Sequence, residues 1–286
     1  MADTVAVITD SISCLEPGLI RKCNIGIVPI RLTFKGNIYR DSVDITPTEA
    51  YEMLMEDPER FNTSPASPGH FLEAYRLAAT AGATGIICIP LSSKLSQGFN
   101  TARLAMEQAA VEIPELRIHV MDSMSVTAAE GFIALAAARA AETGADMDGV
   151  IKAAEDVRSK VHFYAILDTI KHVYRTGRIP KIASQVGSAF NIKPMLTGSE
   201  GFVKFKGVYK SRERGKLKLL EILREHVGEK PAHVAVMHAC VPDEAEEMKE
   251  RIASEFNCSE LWISEFTPVM GYATGTGTLA IAFYPD

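Results

Sequence analysis

The sequence lacks any run approaching the ~20 apolar residues that a membrane span needs, and its start lacks a basic region followed by an apolar one. We therefore expect no membrane span, no secretory signal and a cytoplasmic location. Cations are also in the minority, with 30 Lys and Arg against 36 Asp and Glu and a net charge of -6. This balance disfavours nucleic-acid binding, because phosphate contacts need clustered cations.

Cysteine is scarce and scattered. The five cysteines are odd in number and none belongs to a Cys-x-x-Cys pair. This pattern predicts reduced thiols rather than a disulfide framework or a zinc site. We expect no metal site and no cofactor.

The length of 286 residues exceeds what one hydrophobic core usually supports, so we expect two domains. Strands and helices alternate through residues 1–160, which predicts a parallel sheet in a three-layer α/β domain. Residues 161–286 are typical of an α+β domain with a mixed or antiparallel sheet. That part includes a predicted strand pair, Phe190 to Leu196 and Phe202 to Tyr209.

One stretch combines a buried strand with a polar turn. Gly85 to Ile89 is a short apolar run typical of a parallel strand, and a serine-rich turn follows it. Ser96 comes just before a helix whose apolar face is predicted to include Phe99, Ala102 and Leu104. Free N–H groups and the helix dipole at such a start favour an anion. Ser96 as a helix cap alone is the competing interpretation.

Two further segments carry hydroxyl groups. Thr46 to Glu49 predicts a helix start with a capping box, and the helix should continue to about Met55. Phe61 to Pro68 is rich in turn-forming residues, so we expect an irregular loop rather than a strand. Its hydroxyls should face either their own backbone or a ligand.

Three aspartates suggest a second class of function. A metal-dependent hydrolase or phosphatase could use Asp10, Asp41 and Asp122. Asp10 directly follows a strand, as in the haloacid-dehalogenase motif, but Ile12 stands where that motif has its second aspartate. The phosphatase interpretation therefore lacks its general acid.

An ordered series of motifs resembles the DegV family, which includes the fatty-acid-binding subunits of bacterial fatty acid kinase. The resemblance covers nearly the whole chain. The matching segments are Val7-Ile8-Thr9-Asp10-Ser11, Tyr39-Arg40-Asp41, Thr63-Ser64, Leu91-Ser92-Ser93-Lys94-Leu95-Ser96, Asp122-Ser123, Gly177-Arg178-Ile179 and Ile192-Lys193-Pro194.

The resemblance implies a carrier without catalysis of its own, which holds a long-chain fatty acid in an apolar tunnel between its domains. A separate kinase subunit would phosphorylate the carboxylate, and an acyltransferase would take the acyl phosphate onward. The implied ligand-binding residues are Thr63, Ser64, Ser93, Ser96, Arg178 and Gly271.

The chain also departs from the family pattern. Ala273 and Thr276 stand where the family usually has a histidine and a proline, and Gln97-Gly98 replaces the usual Gly-Thr. If the missing histidine assists phosphorylation, that step is affected more than lipid binding.

Overall fold

The computed structural model describes residues 4–179 and 192–286. Its strands are β1 (Val5–Asp10), β2 (Ile25–Val28), β3 (Arg31–Phe34), β4 (Asn37–Arg40), β5 (Phe61–Ser64), β6 (Gly85–Ile89), β7 (Arg117–Val120), β8 (His162–Ile166), β9 (Lys193–Ser199), β10 (Phe202–Tyr209), β11 (Ala232–His238), β12 (Cys258–Glu265) and β13 (Leu279–Pro285). The helices are α1 (Pro17–Lys22), α2 (Pro47–Glu56), α3 (Pro68–Thr80), α4 (Gly98–Glu112), α5 (Ala128–Glu142), α6 (Met147–Lys160), α7 (Lys171–Arg175), α8 (Arg212–Val227), α9 (Pro242–Glu255) and α10 (Pro268–Thr274).

The first sheet is parallel, with strand order β2-β1-β6-β7. Its central strand β6 is buried throughout, as expected for an apolar strand covered on both faces. Helices α3 and α4 cover one face, whereas α5 and α6 cover the other. The predicted three-layer α/β architecture is confirmed.

The second sheet is mixed, with strand order β10-β9-β8-β13-β11-β12. Only β11 and β12 run parallel, and the other neighbours are antiparallel. Helices α8 and α9 pack on one face through a separate core cluster. The α+β prediction is confirmed, and β9 and β10 form the expected hairpin. Residues 190 and 191 of the predicted first strand lie outside the described residues.

A third, antiparallel sheet corrects the sequence-based expectation for the segment around residues 61–64. Its order is β4-β3-β5, and β5 occupies part of the stretch that we expected to be an irregular loop. The turn-rich composition was misleading because β3 supplies hydrogen-bond partners for β5, and because Phe61 is buried against the ring of Tyr272.

The predicted start of α2 is confirmed, whereas the predicted buried face of α4 is wrong at one residue. The capping box of Thr46 and Glu49 is present at the start of α2. Leu104, expected on the buried face of α4, is 49% exposed. The glycine-containing C-terminal segment begins as a short helix, α10, which ends at Gly275 in a left-handed conformation (φ 83°). Among the described residues no helix is long and apolar enough to cross a membrane.

Helix α5 packs between the two large sheets. It contacts β1 and β6 on one side and β8 and β13 on the other, and its central residues are buried. The largest core cluster accordingly contains residues from both halves of the chain. A domain division at residue 160 stays a prediction.

An ion pair links α5 to the edge strand β12. The guanidinium of Arg139 donates to both carboxylate oxygens of Glu260, at 3.0 and 2.5 Å, and His233 Nδ1 lies 2.7 Å from the same carboxylate. Burial opposes ionisation of Glu260, but the hydrogen bonds from His233 and Arg139 outweigh it and lower its pKa to about 2. The charged form is therefore the one that stabilises the fold.

We expect Glu260→Gln to lower the free energy of unfolding by about 2 kcal/mol at pH 7, the usual range for a hydrogen bond to a charged group. Because the folded-state pKa is depressed, this contribution is present above the unfolded value near 4.5 and lost as the pH falls towards 2. Urea denaturation from pH 7 to pH 3 measures it. The exposed Glu250→Gln is the control, and equal losses in the two variants would contradict the assignment.

Candidate ligand-binding site

A cavity of about 120 Å³ lies between the carboxyl ends of β1 and β6, the third sheet, α10 and the face of β8 and β9. This is the edge of a parallel sheet at which ligands of α/β proteins usually bind. Most of the wall is apolar and comprises Ile12, Ile30, Leu91, Leu95, Val126, Phe163, Ala165, Val173, Ile179, Leu196, Val203, Val269, Met270, Tyr272 and Ala273. Such a wall suits a hydrocarbon chain.

Hydroxyl groups from several segments line the wall, and those of Thr176 and Thr274 donate to nearby backbone carbonyls. Thr63 and Ser64 come from β5, and Ser96 comes from the turn between β6 and α4. Ser96 Oγ accepts a hydrogen bond from Gly98 N at 3.2 Å, so part of the capping interpretation holds. A hydroxyl that accepts one bond still has its own proton to donate. All three side chains can therefore donate to an anion.

Arg178 adds positive charge to this part of the wall. Its Nη1 donates to Thr176 O at 2.7 Å, and its Nε lies 3.5 Å from Leu95 O. These contacts place the guanidinium beside the turn that carries Ser96, while the side chain remains exposed. We call Thr63, Ser64, Ser96 and Arg178 the polar end of the cavity.

Two predicted site residues lie outside the wall. Ser93 is half-buried, and its backbone N–H donates to Asp122 Oδ1 at 3.2 Å. Gly271 lies between two wall residues, but a Cβ built on it would fall 1.7 Å from Cε1 of Tyr51. The geometry therefore assigns Gly271 a packing role against Tyr51. Ligand contact by either residue stays a prediction.

An aromatic stack forms one side of the cavity and was not expected. The ring of Tyr272 stacks on Phe61 at 5.3 Å, and the guanidinium of Arg175 lies 4.9 Å from the Tyr272 ring centroid. The basic turn at residues 175–178 was recognisable in the sequence, but no local signal pairs it with a tyrosine 97 residues later. The stack joins β5 to α10.

Asp10 and Asp41, which the alternative hypothesis assigns to a metal, are buried and already hydrogen-bonded. Asp10 accepts from the N–H groups of Ile12 and Leu91, both at 2.9 Å. Asp41 accepts from the Ser11 hydroxyl at 2.6 Å. Burial raises the pKa of Asp10 to about 6 and that of Asp41 to about 7. Both carboxyls thus hold the backbone at the cavity edge together.

The carboxylate of Asp122 accepts hydrogen bonds from two backbone N–H groups. Its Oδ1 accepts from the N–H groups of Ser93 and Met124, at 3.2 and 2.9 Å. Within residues 4–179 and 192–286, no group of three or more His, Cys, Asp or Glu side chains is placed to hold a metal ion. The described residues therefore bring together hydroxyls and a guanidinium rather than a carboxylate cluster.

The chain is similar to known proteins in both sequence and fold. Residues 4–286 match the profile of a family described as "Uncharacterised protein, DegV family". A DegV domain-containing protein from Clostridium acetobutylicum is 31% identical over 289 residues, covering 99% of both chains.

Two solved structures share the fold over the full length of both chains. One is described as "Fatty Acid Binding of a DegV family Protein from Thermus thermophilus", with 27% identity and a TM-score of 0.90. The other is DegV, a fatty acid binding protein from Bacillus subtilis, with 25% identity and a TM-score of 0.89.

Proposed function

The chain belongs to the DegV family, and we propose that it binds a long-chain fatty acid with the hydrocarbon tail in the apolar cavity and the carboxylate at the polar end. The observation that carries the proposal is the convergence of the hydroxyls of Thr63, Ser64 and Ser96 and the guanidinium of Arg178 at one end of a largely apolar cavity. The fatty-acid binding named for the relatives from Thermus thermophilus and Bacillus subtilis supports it.

The tail supplies most of the binding free energy. Burial of each methylene is worth about 0.8 kcal/mol, so a long chain gains on the order of 10 kcal/mol before the costs of ordering it. Aliphatic and aromatic wall residues provide no competing hydrogen bonds along the chain. Binding tight enough to survive purification follows from this balance.

The carboxylate fixes the orientation of the ligand. Hydrogen bonds from Thr63 and Ser96 to a charged oxygen are stronger than bonds between neutral groups, and the exposed guanidinium of Arg178 adds a favourable charge. The start of α4 contributes the positive end of its dipole. A fatty alcohol of equal length lacks the charge that these groups select.

We further propose that the protein presents the bound carboxylate to a separate kinase subunit, and that an acyltransferase consumes the acyl phosphate. The exposure of Arg178 supports this, because a second protein could reach the carboxylate there. Ala273 lines the cavity where the family usually has a histidine, so this chain offers no imidazole at that position. Binding of the acid needs none.

Native and denaturing mass spectrometry of the purified protein tests the proposal. We expect a native mass that exceeds the chain mass by one fatty acid, and a lipid extract that identifies the acid. An empty protein that also takes up no added fatty acid would contradict the proposal. The alternative would then be tested as metal-dependent hydrolysis of phosphate esters that is lost in Asp10→Asn.

A further inference from the structure

Two buried carboxyl groups are in direct contact beside the cavity. Asp10 ends β1, and Glu130 lies in the first turn of α5. Their exposed fractions are 1% and 0%, and the two side chains hydrogen-bond to each other. Two ionised carboxylates in contact would repel each other. A hydrogen bond between these two side chains therefore requires that one of them carries a proton.

Among the residues that the structure describes, no cation interacts with the pair in a way that could let both groups ionise. Thr9 Oγ1 lies 2.9 Å from Glu130 Oε1, and no hydroxyl or N–H group of the described residues donates a hydrogen bond to Glu130 Oε2. The other titratable groups that interact with the pair are Asp41, Cys14 and Cys88. These are acids or thiols, and burial raises the pKa of each, so none of them supplies positive charge.

The hydrogen bonds identify which group carries the proton. Both oxygens of Asp10 accept backbone N–H groups, from Ile12 and Leu91. An ionised carboxylate is the better acceptor for these donors. Glu130 has the Thr9 hydroxyl near Oε1, and that hydroxyl also lies 2.7 Å from Ile89 O, so its one proton is not reserved for Glu130. Glu130 is therefore the partner to which we assign the shared proton.

The pair is connected to the polar end. The two residues that Asp10 holds, Ile12 and Leu91, both line the cavity. A Cβ built on Gly98 would lie 3.8 Å from Asp10 Oδ2 and also 3.8 Å from Ser96 Oγ. Asp10 and Ser96 therefore flank the same backbone position at the start of α4.

We infer that Asp10 and Glu130 are positioning residues of the carboxylate-binding site, that they share one proton, and that loss of this proton weakens ligand binding. The inference rests on the proposed function, because it concerns binding of an anionic ligand at the polar end. A second charge on the pair repels Asp10 from Glu130 and repels the ligand carboxylate near Ser96. Burial raises the pKa of Glu130 above its usual value, so the pair keeps its proton at a higher pH than an exposed carboxyl would and loses it as the pH rises.

The test compares the affinity for a fluorescent 16-carbon fatty acid from pH 6 to pH 9 in the full chain and in two variants. Glu130→Gln keeps an N–H donor towards Asp10 and cannot ionise. Glu142→Gln changes an exposed residue at the end of the same helix. Between pH 6 and pH 9, the affinity of the wild type and of Glu142→Gln should fall about tenfold more than the affinity of Glu130→Gln. A tenfold difference corresponds to a one-unit difference in the pKa of the shared proton between the free and the ligand-bound protein.

Equal pH profiles for the wild type and Glu130→Gln would overturn the inference. A wild type that binds no fatty acid even at pH 6 would instead overturn the proposed function, so the two failures are distinguishable. Infrared spectroscopy of the wild type provides a measurement that needs no folded variant. We expect the carbonyl stretch of a buried protonated carboxyl at pH 7, and its absence would also overturn the inference.

Discussion

The double variant Thr63→Val, Ser96→Ala should bind a long-chain fatty acid at least 100-fold more weakly than the wild type while remaining folded. Each hydroxyl is expected to donate one hydrogen bond to a charged carboxylate, and such bonds are worth about 1.5–3 kcal/mol each. Both side chains are only partly buried, and Ser96→Ala removes the hydrogen bond from Gly98 N to Ser96 Oγ. We therefore expect a loss of about 1 kcal/mol in stability, the usual cost of a lost helix cap, and a larger loss in affinity.

Titration of delipidated protein with a fluorescent fatty acid measures the affinity, and urea denaturation checks the fold. Ser93→Ala is the matched control, since Ser93 lies in the same turn as Ser96 but outside the cavity wall. If Ser93→Ala weakens binding as much as Ser96→Ala, the carboxylate lies deeper in the serine turn than we propose. Unchanged affinity in the double variant would remove these hydroxyls from the site.

The position of Ser96 at the edge of the first sheet was predictable because local sequence marks the strand ends and the start of α4. Apolar runs that stop at polar residues locate the ends of β1 and β6, and parallel strands bring such ends to one edge. Ser96 follows from the strand-to-helix transition. Thr63 and Arg178 followed only from the resemblance to a family, because nothing in their own segments indicates a carboxylate.

Other features depend on contacts that no segment encodes alone. β5 forms a strand because β3, 30 residues earlier, pairs with a hydroxyl-rich segment. Glu130 stands in an alanine-rich helix, where a lone carboxylate normally indicates a solvent-facing position. Its contact with Asp10 spans 120 positions and reverses that expectation. Long-range pairing of this kind is invisible to periodicity and capping signals.

Gly271→Ala should lower the free energy of unfolding by about 3 kcal/mol, the upper part of the usual range for overpacking a core. The added methyl group would lie 1.7 Å from the ring of Tyr51, which is buried and is held by a 2.7 Å hydrogen bond from its hydroxyl to Phe266 O. The ring cannot move away without breaking that bond. Relief would require α10 to shift from α2, and α10 carries cavity residues such as Met270 and Tyr272.

Urea denaturation measures the contact between Gly271 and Tyr51 when Gly271→Ala is introduced both into the wild type and into Tyr51→Ala. In the wild-type background the full loss is expected, whereas in Tyr51→Ala the same substitution should cost much less, because the opposing ring is absent. Gly69→Ala in α3 is the control, since its Cβ would meet only Ser67 Oγ at 3.8 Å and alanine favours a helix. An equal cost for Gly271→Ala in both backgrounds would mean that Tyr51 does not explain the glycine. A direct role of Gly271 in ligand binding would then be the interpretation to test.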